Sequence, residues 1–444
     1  MSKSAITLLV VCCFVAPVTG QETKTSWSQF RGPQGNGSVP QAVPTEWSAD
    51  DKVQWTSPIP GGGWSSPVVA SDRVFVTTAV SKEFPGPKGF GDGVASMRSF
   101  FQSKPPQEPM SFEVHCLNLS DGKPLWKQVV ASLKPAHKIH PSNSYATESP
   151  ATDGQRVYTY FAAIGLVTCF DLEGTKLWSR ELGAYPTSSN FGTGSSLSLD
   201  GKHLFVQCDN EEKSFVVALN TETGEDQWRV ERAGRTSWSS PLVWHNRVRK
   251  EVVVCGSDGV TSYHPETGAT LWQYRGRGGA FSASPTADSK RIYFGQSGRN
   301  SRGPLIAVNA GAEGELTAES LSPQGVAWTV SSAAPGMCSP VVVGERLFVL
   351  SRGIISCHNA TDGERIYRSR LRGASSVTAS LWAAGDKVYA LNEAGATSVI
   401  AASDTFDVLN SNSIPGLYWS TPAISGNAIL LREAGKLHCI RDDS

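Results

Sequence analysis

Short runs of β-branched and aromatic residues recur along the whole chain, separated by Gly, Asp, Asn and Ser. Val157-Tyr158-Thr159-Tyr160-Phe161 and Val252-Val253-Val254 are typical, and their composition predicts strands bounded by turns. Few windows place apolar residues at helical spacing. The runs fall into a unit repeated about every 40 to 55 residues. One unit reads Ser66-Pro67-Val68-Val69, Arg73-Val74-Phe75-Val76, Cys116-Leu117-Asn118, Asp121-Gly122-Lys123-Pro124-Leu125-Trp126. The next reads Ser149-Pro150, Arg156-Val157-Tyr158, Cys169-Phe170-Asp171, Gly174-Thr175-Lys176-Leu177-Trp178. A fixed period of this size belongs to solenoids, propellers and arrays, and four strands per unit suit a propeller blade.

Eight units begin near Ser66, Ser149, Ser196, Ser240, Ser284, Ser339, Ser380 and Thr421. The seventh is degenerate, with Leu381 where others carry Pro and no outer Trp. The eighth ends after its third strand, Lys436-Leu437-His438-Cys439-Ile440, while Val53-Gln54-Trp55-Thr56 near the start is an outer-strand pattern without a unit. The expected fold is all-β: an eight-bladed β-propeller of four-stranded antiparallel blades, closed by the N-terminal strand. Closure removes two free sheet edges that would otherwise pair with other chains. An open β-array would not explain one strand missing at one end and one spare at the other.

Trp55, Trp126, Trp178, Trp228, Trp272 and Trp328 mark the outer strands, with Tyr367 in the sixth unit. They are expected to pack between blades near a neighbour's Gly turn. The Gly of Asp121-Gly122, Thr223-Gly224, Thr267-Gly268 and Asp362-Gly363 supplies a turn with positive φ. Cys116, Cys169, Cys357 and Cys439 share one repeat slot with Ala218, Ser262 and Ala307, which reads as a small buried packing position. Equivalent slots in different blades lie too far apart for disulfides.

The 444 residues are read as a signal peptide (1–20), a leader segment packed on the propeller (21–52) and the propeller itself (53–444), with an insert at 81–111 in its first blade. Lys3, the apolar run from Ile6 to Val15 and Val18-Thr19-Gly20 form the signal pattern. The apolar run is too short to span a bilayer. Lipid anchoring at Cys12 or Cys13 is less favoured, because Val11 or Cys12 stands where a lipobox has a small residue. A soluble monomer outside the cytoplasm, secreted or periplasmic, is expected. The charge balance of 40 Lys+Arg against 40 Asp+Glu, without a basic stripe, disfavours nucleic acid as a partner.

The repeat Cys116-Leu117-Asn118-Leu119-Ser120-Asp121-Gly122-Lys123-Pro124-Leu125-Trp126, echoed in Ala218-Leu219-Asn220-Thr221-Glu222-Thr223-Gly224, resembles the tryptophan-docking motif of the pyrroloquinoline-quinone (PQQ) repeat propellers. That family includes the outer-membrane assembly factor BamB and the propellers of PQQ-dependent dehydrogenases. The opening Trp27-Ser28-Gln29-Phe30-Arg31-Gly32-Pro33-Gln34-Gly35-Asn36-Gly37 is similar to the leader of secreted bacterial members, whose aromatics would pin the terminus to the propeller flank. The resemblance implies an interaction or scaffold module of the cell envelope, with envelope proteins as partners. The alternatives are a PQQ- and Ca²⁺-dependent alcohol or sugar dehydrogenase and a carbohydrate- or ligand-binding propeller. The motif is structural and does not touch the quinone, so it does not choose among them.

Loops between blades and loops joining second to third strands share one face, where rigid blades present variable segments. His137, His140, Asn143, Tyr145 and Glu148 fall in one such loop. Arg235 and Trp238 precede the fourth blade, Arg277 the fifth, and Arg302 lies in a neighbouring loop. Together they could hold a polar or anionic ligand, with Arg235 and Glu148 orienting it and Trp238 as an apolar wall; anchoring of the blades is the plainer reading. Three-residue His spacing in a loop is weak for zinc, so no metal ligand is assigned. No catalytic residue is assigned either: no Ca²⁺ and catalytic Asp constellation can be placed, and no G-x-S-x-G or H-E-x-x-H occurs. The reading leans away from an enzyme and expects no cofactor, with PQQ and Ca²⁺ as the alternative.

Overall fold

A computed structural model describes residues 26–84, 86–92, 105–276, 279–296 and 303–442. It shows eight antiparallel sheets arranged as the blades of a propeller. The innermost strands start at Val68, Ala151, Ser198, Leu242, Thr286, Val341, Trp382 and Ala423, each two residues beyond the expected unit start. The eighth blade is completed by Val53–Pro58, which pairs antiparallel with Lys436–Ile440, itself beside Ala428–Arg432. The ring therefore closes as the strand deficit and surplus require. Two blades gain a fifth strand. Gly314–Leu316 adds in parallel to the outer edge of the fourth, and Ser38–Val39 adds in parallel to the inner edge of the seventh. The insert in the first blade ends earlier than the sequence implied, because its third strand already begins at Met110.

The outer Trp and the small slot are one device. Cys116 pairs across the strand with Trp126, Cys169 with Trp178, Ala218 with Trp228, Ala307 with Trp328 and Cys439 with Trp55. A small side chain beside each indole leaves room for the ring to turn toward the next blade. There the indole N–H donates to a backbone carbonyl: Trp55 to Leu119 (3.0 Å), Trp126 to Leu172 (2.8 Å), Trp178 to Thr221 (3.0 Å), Trp228 to Pro265 (2.7 Å) and Trp328 to Ala360 (3.0 Å). Each ring lies on the positive-φ Gly of that neighbour, so closely that a Cβ on Gly122, Gly174, Gly224, Gly268 or Gly363 would meet indole carbons at 2.5–2.8 Å. Trp126 and Trp178 are only half-buried. Trp272 departs from the scheme. Its N–H donates to Glu251 Oε2 in its own blade (2.7 Å), and its ring stacks on Phe294.

Around the channel a second belt joins the blades. The Ser66 amide donates to Ser149 Oγ (2.8 Å), Ser149 to Ser196 (3.0 Å), Ser196 to Ser240 (2.9 Å), Ser240 to Ser284 (2.9 Å), Ser284 to Ser339 (2.9 Å), Ser339 to Ser380 (3.4 Å) and Ser380 to Thr421 Oγ1 (3.0 Å). At the closing interface Ser420 Oγ donates to the Ser65 carbonyl (3.1 Å). The recurrent hydroxyl two residues before each inner strand thus satisfies a buried amide that no ladder reaches.

The leader takes two routes. Thr45, Trp47 and Ser48 run beside the outer strand Val408–Ser413 of the seventh blade, on the flank. Residues 27–37 cross the end of the channel opposite the loop face and touch the inner strands of several blades. The Trp27 carbonyl accepts from the Val69 amide (2.8 Å), the Ser28 carbonyl from Thr152 (2.7 Å), Gln29 Oε1 from Leu199 (2.7 Å) and the Gly37 carbonyl from Ala383 (2.8 Å). Arg31, fully buried, donates to the carbonyls of Pro285 (2.9 Å), Asn36 (2.8 Å) and Pro340. Burial without a carboxylate lowers its guanidinium to about 9. The seven cysteines among the described residues are free thiols, six of them buried, and no described helix is long and apolar enough to cross a membrane.

Candidate functional site

The loop face is built from three neighbouring inter-blade loops and the first-blade insert. Tyr145 sits at φ 57 in the first loop, held because Asn143 Oδ1 accepts from the Ser144 amide (2.7 Å), the Tyr145 amide (3.2 Å) and Thr147 Oγ1 (3.0 Å). Asn143 Nδ2 donates to the Thr193 carbonyl (2.9 Å), tying this loop to the next. The ring of His140 lies 4.8 Å from that of Phe191, which meets Trp238 edge-on at 6.0 Å; Trp238 Nε1 donates to the Gly192 carbonyl (2.7 Å). His140 Nδ1 accepts the Ser142 amide (3.2 Å). His137 is half-buried, and its carbonyl receives the Tyr145 hydroxyl (3.4 Å).

His140, Asn143 and Trp238 are thus brought together, with Phe191 between two of them as a contact the sequence did not single out. Arg235 and Glu148 are not paired. Arg235 is exposed and reaches Glu211 Oε2 at 2.5 Å. Burial raises the Glu211 carboxyl, but hydrogen bonds from Thr236 and the charge of Arg235 leave it below its ordinary value. Glu148 is fully buried behind the loop, and burial lifts its carboxyl to about 7. Arg277 and Arg302 lie outside the described residues.

Residues 88–91 of the insert bridge the loop before the second blade and the seventh blade. The Lys88 amide donates to the Pro141 carbonyl (2.9 Å), and the amides of Phe90 (2.6 Å) and Gly91 (3.1 Å) donate to the Glu393 carboxylate in the seventh blade. Phe90 packs 4.8 Å from Trp419, which stacks on Trp64 at 5.6 Å and donates its N–H to Glu393 Oε1 (2.7 Å). A signal for this cluster existed in the sequence. Trp64, Trp238 and Trp419 each stand two residues before the belt hydroxyl of their blade. Beside the insert runs an open groove of about 390 Å³, lined by Phe84, Pro105, Pro106, Ile139, Pro141 and Tyr145, with Glu83 and Lys88 adding charge. No group of three His, Cys, Asp or Glu among the described residues is arranged to hold a metal ion.

The sequence profile of the outer membrane protein assembly factor BamB family (PQQ_2) matches residues 163–402, more than half of the chain. The chain belongs to this family. Among solved structures, BamB from Moraxella catarrhalis is similar at 14% identity with a TM-score of 0.54, covering 77% of this chain and 94% of that one. Sqt1 from Saccharomyces cerevisiae follows at 12% identity and 0.51, covering 77% and 94%. A europium-containing methanol dehydrogenase aligns at 11% identity and 0.49, covering 94% and 98%. At these identities the likeness to BamB and Sqt1 shows the shared fold and nothing finer. A search of curated proteins gave no match.

Proposed function

We propose that this BamB-family propeller is a secreted or periplasmic interaction module that binds extended segments of envelope proteins on its loop face. The observation that carries the reading is the groove between the insert and the loop at 139–145. Its walls of Phe, Tyr, Ile and Pro, with Lys88 and Glu83 among them, suit an extended chain with apolar anchors. The opposite channel end is filled by the leader, so a partner meets the loop face more readily than the other end.

Photocrosslinking in cells tests this. A photoreactive residue at Gln107 or Lys138 on the loop face should yield discrete adducts with envelope proteins, whereas one at Lys202 or Lys290, in turns of the opposite face, should not. Equal adducts from both faces would contradict the reading. So would a saturable rise in thermal midpoint on adding PQQ and Ca²⁺, since a cofactor at a hundredfold excess over its Kd stabilises by about 2.7 kcal/mol.

A further inference from the structure

On the outer part of the loop face, between the fifth and sixth blades, a cleft of about 80 Å³ is lined by Arg352, Arg365 and Arg368, with no Asp or Glu in its walls. The even charge balance of the whole chain conceals this cluster. Arg365, Arg368, Arg370 and Arg372 crowd the outer strand of the sixth blade and its end, and no acidic residue follows before Asp386. The residue just past the docking ring is basic in other blades too, but there it is paired: Lys127 meets Glu113 at 3.4 Å and Arg229 meets Asp226 at 3.0 Å. Arg368 stands in the same place, one residue beyond Tyr367 and across from Ser356. Among the described residues no carboxylate pairs with Arg352, Arg365 or Arg368.

The backbone at the rim of the cleft is strained. Arg352 and Gly353 form the two-residue turn between the paired Ser351 and Ile354, with φ of 52° and 73°. Asn, Asp or Gly usually fills the first place of such a turn, because a larger side chain is disfavoured in the left-handed region. Ser332, on the facing wall, sits at φ 57°. Outliers of this kind gather at ligand sites. The hydroxyls of Ser331, Ser332 and Ser351 line the same cleft. His358 closes it from within, 1% exposed. Its Nδ1–H donates to the Gly363 carbonyl (3.0 Å), which leaves Nε2 to accept the Ser356 hydroxyl (3.1 Å). Burial lowers the pKa of this ring, so it is neutral near pH 7 and the positive charge of the cleft belongs to the arginines.

We infer that this cleft binds one phosphate or sulfate group. Three cations facing one space repel each other when it holds only water. Guanidinium forks together with hydroxyl donors match the oxygens of a tetrahedral oxyanion. A single carboxylate would leave at least two of the arginines unmatched. The cleft has room for a group of that size and not for a folded partner. It lies across the ring from the groove beside the 139–145 loop, so it does not depend on the interaction reading.

Isothermal titration calorimetry with inorganic phosphate and with sulfate, at constant ionic strength in chloride, tests the site. The wild type should bind one equivalent saturably, and the tighter of the two ions names the group. Arg368→Gln should weaken binding about tenfold or more, the loss of one charge-assisted contact. Arg352→Asn should weaken it as well while raising the thermal midpoint of the ligand-free protein, because Asn suits the turn; a purely structural Arg352 would leave binding unchanged. Glycerol 3-phosphate and vesicles containing phosphatidylglycerol then identify the carrier. Binding of the soluble ester supports a small phosphorylated ligand, and vesicle binding that is lost in Arg368→Gln supports a lipid headgroup. Absence of saturable binding to both phosphate and sulfate, or equal affinity in the wild type and both variants, would overturn the inference.

Discussion

A methyl group added at Gly224 would sit 2.5 Å from the Trp178 ring, whereas one added at Gly154 would meet nothing within 4 Å, although both glycines have positive φ (74° and 87°). The pair separates backbone strain from docking. Gly154→Ala should cost about 1–2 kcal/mol for the left-handed conformation, and Gly224→Ala about 1–3 kcal/mol more for the displaced indole. Chemical denaturation of the two variants checks this, and equal losses would mean the Trp does not depend on its Gly seat. Truncating a docked ring outright, as in Trp228→Ala, should cost about 3–5 kcal/mol. Glu148 gives the pH prediction. Its folded-state pKa is raised from 4.5 to about 7, so the folded state binds the extra proton between those values and stability falls as pH rises from about 4.5 to 7. The loss approaches about 3.5 kcal/mol, at about 1.4 kcal/mol per pKa unit. The difference in unfolding free energy between wild type and Glu148→Gln, measured across that range at constant ionic strength, should carry this slope; a flat difference would mean the carboxyl is hydrated.

At the scale of elements, the inner belt and the leader perform related tasks, because both satisfy backbone groups facing the channel. Ser240→Ala removes the acceptor of the Ser196 amide at a buried interface, and an orphaned buried donor costs about 1–3 kcal/mol. Calorimetry should show the loss, and Ser240→Thr, which keeps a hydroxyl, should retain most of the stability. The belt was legible in the recurrent Ser-Pro starts. So were the blades, since Trp, small slot and Gly turn all enforce the same contact. Asn118 and Asn359, which match glycosylation sequons, use their side chains to accept the amides of Ser120 and Thr361 (both 2.8 Å), as turn chemistry at that slot requires. The leader's route was not legible. Arg31 binds backbone carbonyls 254 and 309 residues away, and a carbonyl leaves no trace in side-chain identity. The same holds for Glu393, which receives backbone amides of the insert. The seventh blade lacks the outer Trp, with Asn410 across from Val399 in that position, and draws support from the leader strand Ser38–Val39 instead.

For the whole molecule, the N-terminal 27–58 segment does two things at once: it seals one end of the channel and supplies the strand that closes the ring. A partner or ligand is then left with the loop face, where the insert, the 137–148 loop and the Trp238 loop converge. Amide hydrogen exchange on the intact protein tests this architecture most directly. The amides of Val69, Thr152, Leu199 and Ala383, which donate to the leader, and those of the 53–58 strand should exchange as slowly as the blade interiors. Exchange at these positions as fast as at exposed turns would contradict it, because the leader would then be undocked and the ring open.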